Sequence, residues 1–296
     1  MTTHLHATIY ICIYLFIITL SSCETSSAPS QNEHSLVPTT PKPPLATPNL
    51  IVIDSLGHLD SITNKHSNAY KRIQFRSLDS LLIDANYYYS SDSAPNILLC
   101  HQARWNKYEY DSIAVVLQHN GYNCLAIDQR SGGTMDVDGI HPINATHQRA
   151  MAAGLPTEYL DAEQDIVAAI DYFYKQAKHP IIIWGSSYSS TLALYNGLNN
   201  NKVFAVVSFS PGNYFSSQKG SLIPLITTSA QPFFITSSKK EAEGIKNLIQ
   251  KTKQNNQQIQ FIPKGDGYHG SRALWASKEG HEEYWAAIFS FLESLN

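Results

Sequence analysis

From residue 70 onward, short continuous apolar runs alternate with longer segments whose apolar residues recur at helical spacing. The runs predict strands at Arg72–Arg76, Leu81–Tyr89, Asn96–His101, Asn123–Asp128, Pro180–Trp184, Val203–Phe209, Pro232–Thr236 and Gln258–Pro263. Between them the pattern predicts helices at Tyr108–Asn120, Thr157–Lys178, Ser187–Leu198, Ala242–Gln254 and Glu282–Leu295; in the second, Ile166, Ala169, Ile170 and Phe173 share a face. Residues 129–156 read as a long polar loop. Strands written as unbroken Val/Ile/Leu/Phe runs and separated by helices imply a parallel sheet covered on both faces. The first two strands, joined by a short turn, look antiparallel and suit a sheet edge. The expected fold is a doubly wound, mostly parallel α/β domain over residues 50–296, without internal repeats.

The first 49 residues carry a different pattern. Ala7 to Leu20 (ATIYICIYLFIITL) is a near-continuous apolar stretch, shorter than the roughly 18–20 residues of a membrane-spanning helix. Its length and position fit the apolar core of a secretory signal. It ends in Leu20-Ser21-Ser22-Cys23, which resembles the bacterial lipobox, and the resemblance implies a signal peptide over 1–22 and lipidation at Cys23. Residues 1–6 lack the Lys or Arg usual before such a core, so an uncleaved signal anchor is the rival reading. Residues 23–49, rich in Ser, Thr and Pro, carry no apolar periodicity and read as a tether. Localisation at a bacterial cell envelope, periplasmic or outer-surface, is the resulting expectation.

Charge and cysteine content narrow the classes further. A net charge of −3 without basic runs longer than pairs argues against a nucleic-acid surface. Cys100 falls at the end of one predicted parallel strand and Cys124 near the start of another. Opposite ends of neighbouring strands lie about 10 Å apart, so the two are expected to be free buried thiols. No metal-ligand spacing and no dinucleotide-binding glycine motif occurs, so neither metal nor cofactor is expected. His141 and His147 read as surface residues of the polar loop.

The chemistry concentrates after the Ile181–Trp184 run, in Gly185-Ser186-Ser187-Tyr188-Ser189-Ser190. If the chain makes a sharp strand-to-helix turn here, the residues two before and two after a nucleophile must be small. Trp184 excludes Ser186 and Tyr188 excludes Ser190; Ser189 is crowded by Thr191. Ser187, between Gly185 and Ser189, meets the requirement best. Gly185 to Ser189 resembles the Gly-x-Ser-x-Gly nucleophile elbow of the α/β-hydrolase superfamily, in its lid-less, dienelactone-hydrolase-like form, with Ser189 in place of the last glycine.

The resemblance implies that an acid and a histidine come after the serine in the chain. Only His269 and His281 lie beyond Ser187. His269 lies in the loop GDGYHGS after the last strand, whereas His281 begins the final helix. No Asp or Glu occurs from Trp184 through Lys240, which leaves Glu241, Glu243 and Asp266 before His269. Glu241, just beyond a strand, occupies the family's usual place; Asp266 is the alternative. The resemblance also implies an oxyanion hole from the N–H of Tyr188 and of Ala103, or of Gln102, in His101-Gln102-Ala103. His101 itself reads as structural. Asp128-Gln129-Arg130 resembles the family's Asp-x-Arg turn and reads as a salt-bridged loop. Only residues 210–231 separate the sixth and seventh strands, so no large cap domain is expected there. Trp105, Tyr108, Tyr214 and Phe215 are candidates to line the pocket. The implied activity is hydrolysis of an ester or related acyl compound, a small-molecule substrate. The alternative is a binding lipoprotein that kept the fold and lost efficient chemistry.

Overall fold

The computed structural model describes residues 69–136, 139, 141–252 and 257–295. The signal, Cys23 and the tether lie outside the described residues. Eight strands form one sheet: β1 (Lys71–Arg76), β2 (Leu82–Tyr88), β3 (Asn96–Cys100), β4 (Asn123–Ile127), β5 (Ile181–Ser186), β6 (Val203–Phe209), β7 (Phe233–Thr236) and β8 (Gln258–Phe261). Their order across the sheet is β1-β2-β4-β3-β5-β6-β7-β8. β1 pairs antiparallel with β2, and β2 antiparallel with β4; every later pairing is parallel.

The helices are α1 (Asp111–His119), α2 (Ala145–Ala152), α3 (Glu163–Ala177), α4 (Tyr188–Gly197), α5 (Ser216–Lys219), α6 (Leu222–Thr228), α7 (Ala242–Ile249) and α8 (His281–Glu293). Successive residues of the central strands point to opposite faces, and both faces are buried, which is why those strands are apolar throughout. On one face Leu98, Ile127, Ile183, Val206 and Ile235 pack against α3, α4, α6 and α7. On the other, Leu99, Ala126, Trp184, Val207 and Phe234 pack against α1 and α8.

Cys124 pairs with Ile97 and Cys100 with Ile127, so the two cysteines sit three residues apart along adjacent strands. Both are free and buried, and burial pushes both thiols up.

The loop expected over 129–156 contains α2. It has little apolar face to announce it: only Thr146 and Ala150 are buried. It is specified instead by its cap, where the Asn144 Oδ1 accepts the His147 N–H at 2.7 Å. His141 is exposed, whereas His147 is half-buried and its Nδ1 lies 2.6 Å from the Arg130 carbonyl. Between β6 and β7 lie α5 and α6; Leu222 and Ile226 of α6 turn into the core, so this segment forms no large cap.

Arg130 is fully buried and binds Asp165 at 2.8 Å and Asp79 at 2.7 Å, joining the start of α3 to the β1–β2 turn. Asp128 binds Lys107 at 2.7 Å and accepts the N–H groups of Lys107 and Ala145. The Asp-x-Arg turn is a structural brace.

Candidate active site

β5 stops at Ser186 and α4 begins at Tyr188, leaving Ser187 as the hinge with φ 58° and ψ −124°. A positive φ in a non-glycine residue costs about 1–3 kcal/mol and persists only where the surroundings enforce it. The enforcement is steric. A Cβ on Gly185 would lie 2.4 Å from the Ser189 carbonyl oxygen and 2.5 Å from the Ser190 Cα, so only glycine lets strand and helix approach so closely.

Ser189, which departs from the glycine of the motif, has a distinct local role. Its Oγ accepts the Ser186 N–H at 3.0 Å and donates to the Cys100 carbonyl at 2.7 Å. The hydroxyl thus fastens the turn to β3.

His269 comes after β8, in a loop that crosses the C-terminal edge of the parallel strands. Its Nε2 lies 2.8 Å from the Ser187 Oγ, and its Nδ1 lies 2.5 Å from the Glu241 Oε1. Glu241 ends a short 3-10 turn (Lys239–Glu241) after β7, and its second oxygen is held by the Ser238 hydroxyl at 2.7 Å and the Ser210 hydroxyl at 3.1 Å. Burial alone would raise this carboxyl. The hydrogen bonds from His269 and Ser238 and the charge of His269 outweigh burial and hold it at about 2.

Asp266 is exposed and contributes its carbonyl to the Lys239 N–H, so it does not meet His269. Glu243 is exposed and faces Lys246. His281 opens α8 and bonds the Lys278 carbonyl, away from Ser187.

The turn after β3 faces the elbow. Gln129 donates its N–H to the His101 Nε2 at 3.0 Å, so the proton of this imidazole sits on Nδ1 and points at the Gln102 carbonyl, 2.8 Å away. Burial lowers His101 to about 4, so the ring is neutral near pH 7. A trans peptide directs C=O and the next N–H oppositely, so anchoring the Gln102 carbonyl also fixes the direction of the Ala103 N–H. Among the described residues the Ala103 N–H has no acceptor, and the Tyr188 N–H is at the open first turn of α4. The Gln102 N–H differs: it donates to the Glu109 Oε2 at 2.6 Å. That commitment removes the Gln102 N–H from the candidate oxyanion donors.

The aromatic candidates divide. The Tyr214 hydroxyl faces Ser187, and burial raises it above the usual range. Trp105 stacks on Trp275 at 5.4 Å. Phe215 is buried in the core cluster that also contains Tyr188, and Tyr108 lines a separate groove with Arg72 and Lys107, away from Ser187. The sequence expectation for Tyr108 is therefore corrected. Chain position brings it near the sheet edge, but the turn that carries it aims the ring elsewhere.

Three groups at this centre carry no signal in the sequence: Glu109, Ser186 and Ser210. Glu109 lies between two tyrosines, at a point where neither apolar period nor motif marks it. Among the described residues no cluster of His, Cys, Asp and Glu has the arrangement of a metal site.

No family model and no curated protein sequence matches the chain. Solved structures do. A Pyrococcus furiosus esterase is similar over 79% of this chain and 95% of its own, with TM-score 0.60 and 14% identity. A Pyrococcus horikoshii acylaminoacyl peptidase is similar over 79% of this chain but 43% of its own, with TM-score 0.55 and 17% identity. A putative dienelactone hydrolase from Klebsiella pneumoniae is similar over 76% of this chain and 99% of its own, with TM-score 0.54 and 12% identity. With the mostly parallel eight-stranded sheet and its helices on both faces, these likenesses give the chain the α/β-hydrolase fold.

Proposed function

We propose that the protein is a serine hydrolase that cleaves an ester or related acyl bond through an acyl-enzyme. The observation that carries this reading is the unbroken line from Ser187 Oγ to His269 Nε2 at 2.8 Å and from His269 Nδ1 to Glu241 Oε1 at 2.5 Å. A serine hydroxyl is a weak nucleophile until a base takes its proton, and the base needs a fixed tautomer. Glu241, ionised down to about pH 2, fixes the Nδ1 proton and stabilises the imidazolium. Ser187 attacks the acyl carbon as His269 takes its proton. The Tyr188 and Ala103 N–H groups receive the oxyanion. His269 then protonates the leaving group, and a water activated by the same ring releases the acid. The esterase, peptidase and dienelactone hydrolase named above support acyl chemistry as the reaction class.

The test is fluorophosphonate labelling and hydrolysis of a panel of aryl esters by wild type and Ser187→Ala. Labelling confined to the wild type, with turnover reduced on the order of 10⁴–10⁶-fold in the variant, is the expected result. Absence of labelling and turnover in the folded wild type favours the non-catalytic binding protein instead.

The lipobox-like Leu20-Ser21-Ser22-Cys23 supports a lipid anchor at Cys23, with residues 23–49 holding the domain near a membrane surface. Incorporation of labelled palmitate by the wild type and not by Cys23→Ala checks it. Equal incorporation refutes it.

A further inference from the structure

Beside Ser187, against the loop that carries His269, lies a second carboxylate that the reaction above does not use. Glu109 is fully buried in a short 3-10 turn, Lys107–Tyr110. Its Oε2 accepts the Gln102 N–H and its Oε1 accepts the Ser186 hydroxyl, both at 2.6 Å. The Ser186 Oγ in turn accepts the Ser271 N–H at 2.9 Å. Two segments therefore meet on one carboxylate, the turn carrying Ala103 and the elbow carrying Ser187, and the loop carrying His269 joins them through Ser186. They approach so closely that a Cβ on Gly270, at φ +75°, would lie 2.7 Å from the Ser186 Oγ and 2.8 Å from the Gln102 Oε1.

The Glu109 backbone is itself anchored, its carbonyl accepting the Trp275 Nε1–H at 3.0 Å. Among the described residues Glu109 has no ion-pair partner, and such a buried carboxylate is an expensive way to join loops, since neutral groups would bridge them at lower desolvation cost. An ionised acceptor, however, makes hydrogen bonds about twice as strong as a neutral one. Gln102 is gripped at both ends of its backbone, N–H by Glu109 and C=O by His101.

We propose that Glu109 is a positioning residue of the acyl-transfer site, bridging the Gln102 N–H and the Ser186 hydroxyl so that the Ala103 N–H stays in register with Ser187. The inference rests on the serine-hydrolase reading. Ionised Glu109 holds the oxyanion turn; protonation removes an acceptor from one oxygen and loosens it. The titratable groups facing Glu109 are Tyr110 from its own turn and His269 and Arg272 from the loop after β8. Burial raises Glu109 to about 7, with the hydrogen bonds from Ser186 and Gln102 and the charges of His269 and Arg272 opposing. The clamp therefore tightens across the neutral range.

The experiment measures kcat, KM and the fluorophosphonate labelling rate of wild type, Glu109→Gln, Ser186→Ala and the double variant on one aryl ester. Glu109→Gln is expected to lower kcat about 10–100-fold with KM within about twofold, the signature of displaced transition-state donors. On the acid side of kcat/KM against pH, the wild type is expected to lose about 10–100-fold as Glu109 is protonated, and Glu109→Gln is expected to lack that component. The double variant should fall no further than Glu109→Gln alone, since both act through one bridge. A Glu109→Gln enzyme with wild-type kcat and an unchanged acid limb overturns the inference while leaving the serine-hydrolase reading standing. A wild type that neither labels nor turns over overturns both. If Glu109→Gln does not fold, Ser186→Ala decides: about fivefold lower kcat at constant KM supports the bridge, and wild-type kcat overturns it.

Discussion

Replacing Glu109 by Gln alters one charge at nearly constant size, and the structure sets both the sign and the scale of the effect on stability. The carboxyl is fully buried and its ordinary value of 4.5 is raised to about 7, chiefly by burial. Below about pH 4.5 it is neutral in folded and unfolded chains alike and has no effect on the difference between them. As pH climbs from 4.5 to about 7, the unfolded chain releases this proton and the folded chain keeps it. The wild type therefore loses stability through that window and regains none above it. At about 1.4 kcal/mol for each pH unit between the two values, the loss is about 3 kcal/mol. Gln cannot ionise, so the variant escapes the loss. Its amide offers an oxygen to the Gln102 N–H but a donor to Ser186, whose hydroxyl then loses its acceptor at a cost of about 1 kcal/mol. The net expectation is a variant more stable than wild type by about 2 kcal/mol near pH 8 and no more stable near pH 4. Urea unfolding tracked by tryptophan fluorescence at several pH values checks this. A stability difference that stays constant from about pH 4 to about pH 8 would show that burial does not raise Glu109.

Other substitutions probe other parts of the site. Glu241→Gln should lower kcat on the order of 10³–10⁴-fold by loss of the fixed imidazole tautomer; in the same assay Asp266→Asn should stay within about twofold of wild type, since its side chain is exposed and does not meet His269. Ser189→Gly restores the glycine of the elbow motif and is nevertheless expected to cost about 1–3 kcal/mol, because the buried Ser186 N–H loses its acceptor. An unchanged urea midpoint would contradict that. Arg130→Leu should cost about 3–5 kcal/mol by leaving Asp165 buried without its cation. Adding Asp165→Asn to that variant should recover part of the loss in a thermal melt.

Much of this architecture is written in local pattern. Continuous apolar runs and period-3.6 stripes are properties of contiguous residues, so every strand is legible to within about two residues of its ends. α2 and α5 escape because neither presents an apolar stripe: α2 depends on a cap at Asn144, and no residue of α5 is buried. α6 does carry a signal, Leu222 and Ile226 four residues apart, within a segment too short to read with assurance. The Ser187 position is legible because sterics at a tight turn act on immediate neighbours. Glu241 and His269 are legible because few acids and histidines come after Ser187, and their order in the chain can be compared with the family's.

By itself, then, the sequence determined the strands and the longer helices, why Ser187 suits the turn best, and the short roster of acids and bases beyond it. Those are consequences of composition and near-neighbour geometry. The tertiary structure alone decided which groups touch. The order β4-β3-β5 places β3 beside β5, and that adjacency brings Gln102 and Glu109 to Ser186, 77 residues further along the chain from Glu109. It is also the tertiary structure that turns Tyr108 toward Arg72 and Phe215 into the core. Contacts of this kind depend on sheet register and on the faces of distant elements, and no local period of residues encodes them.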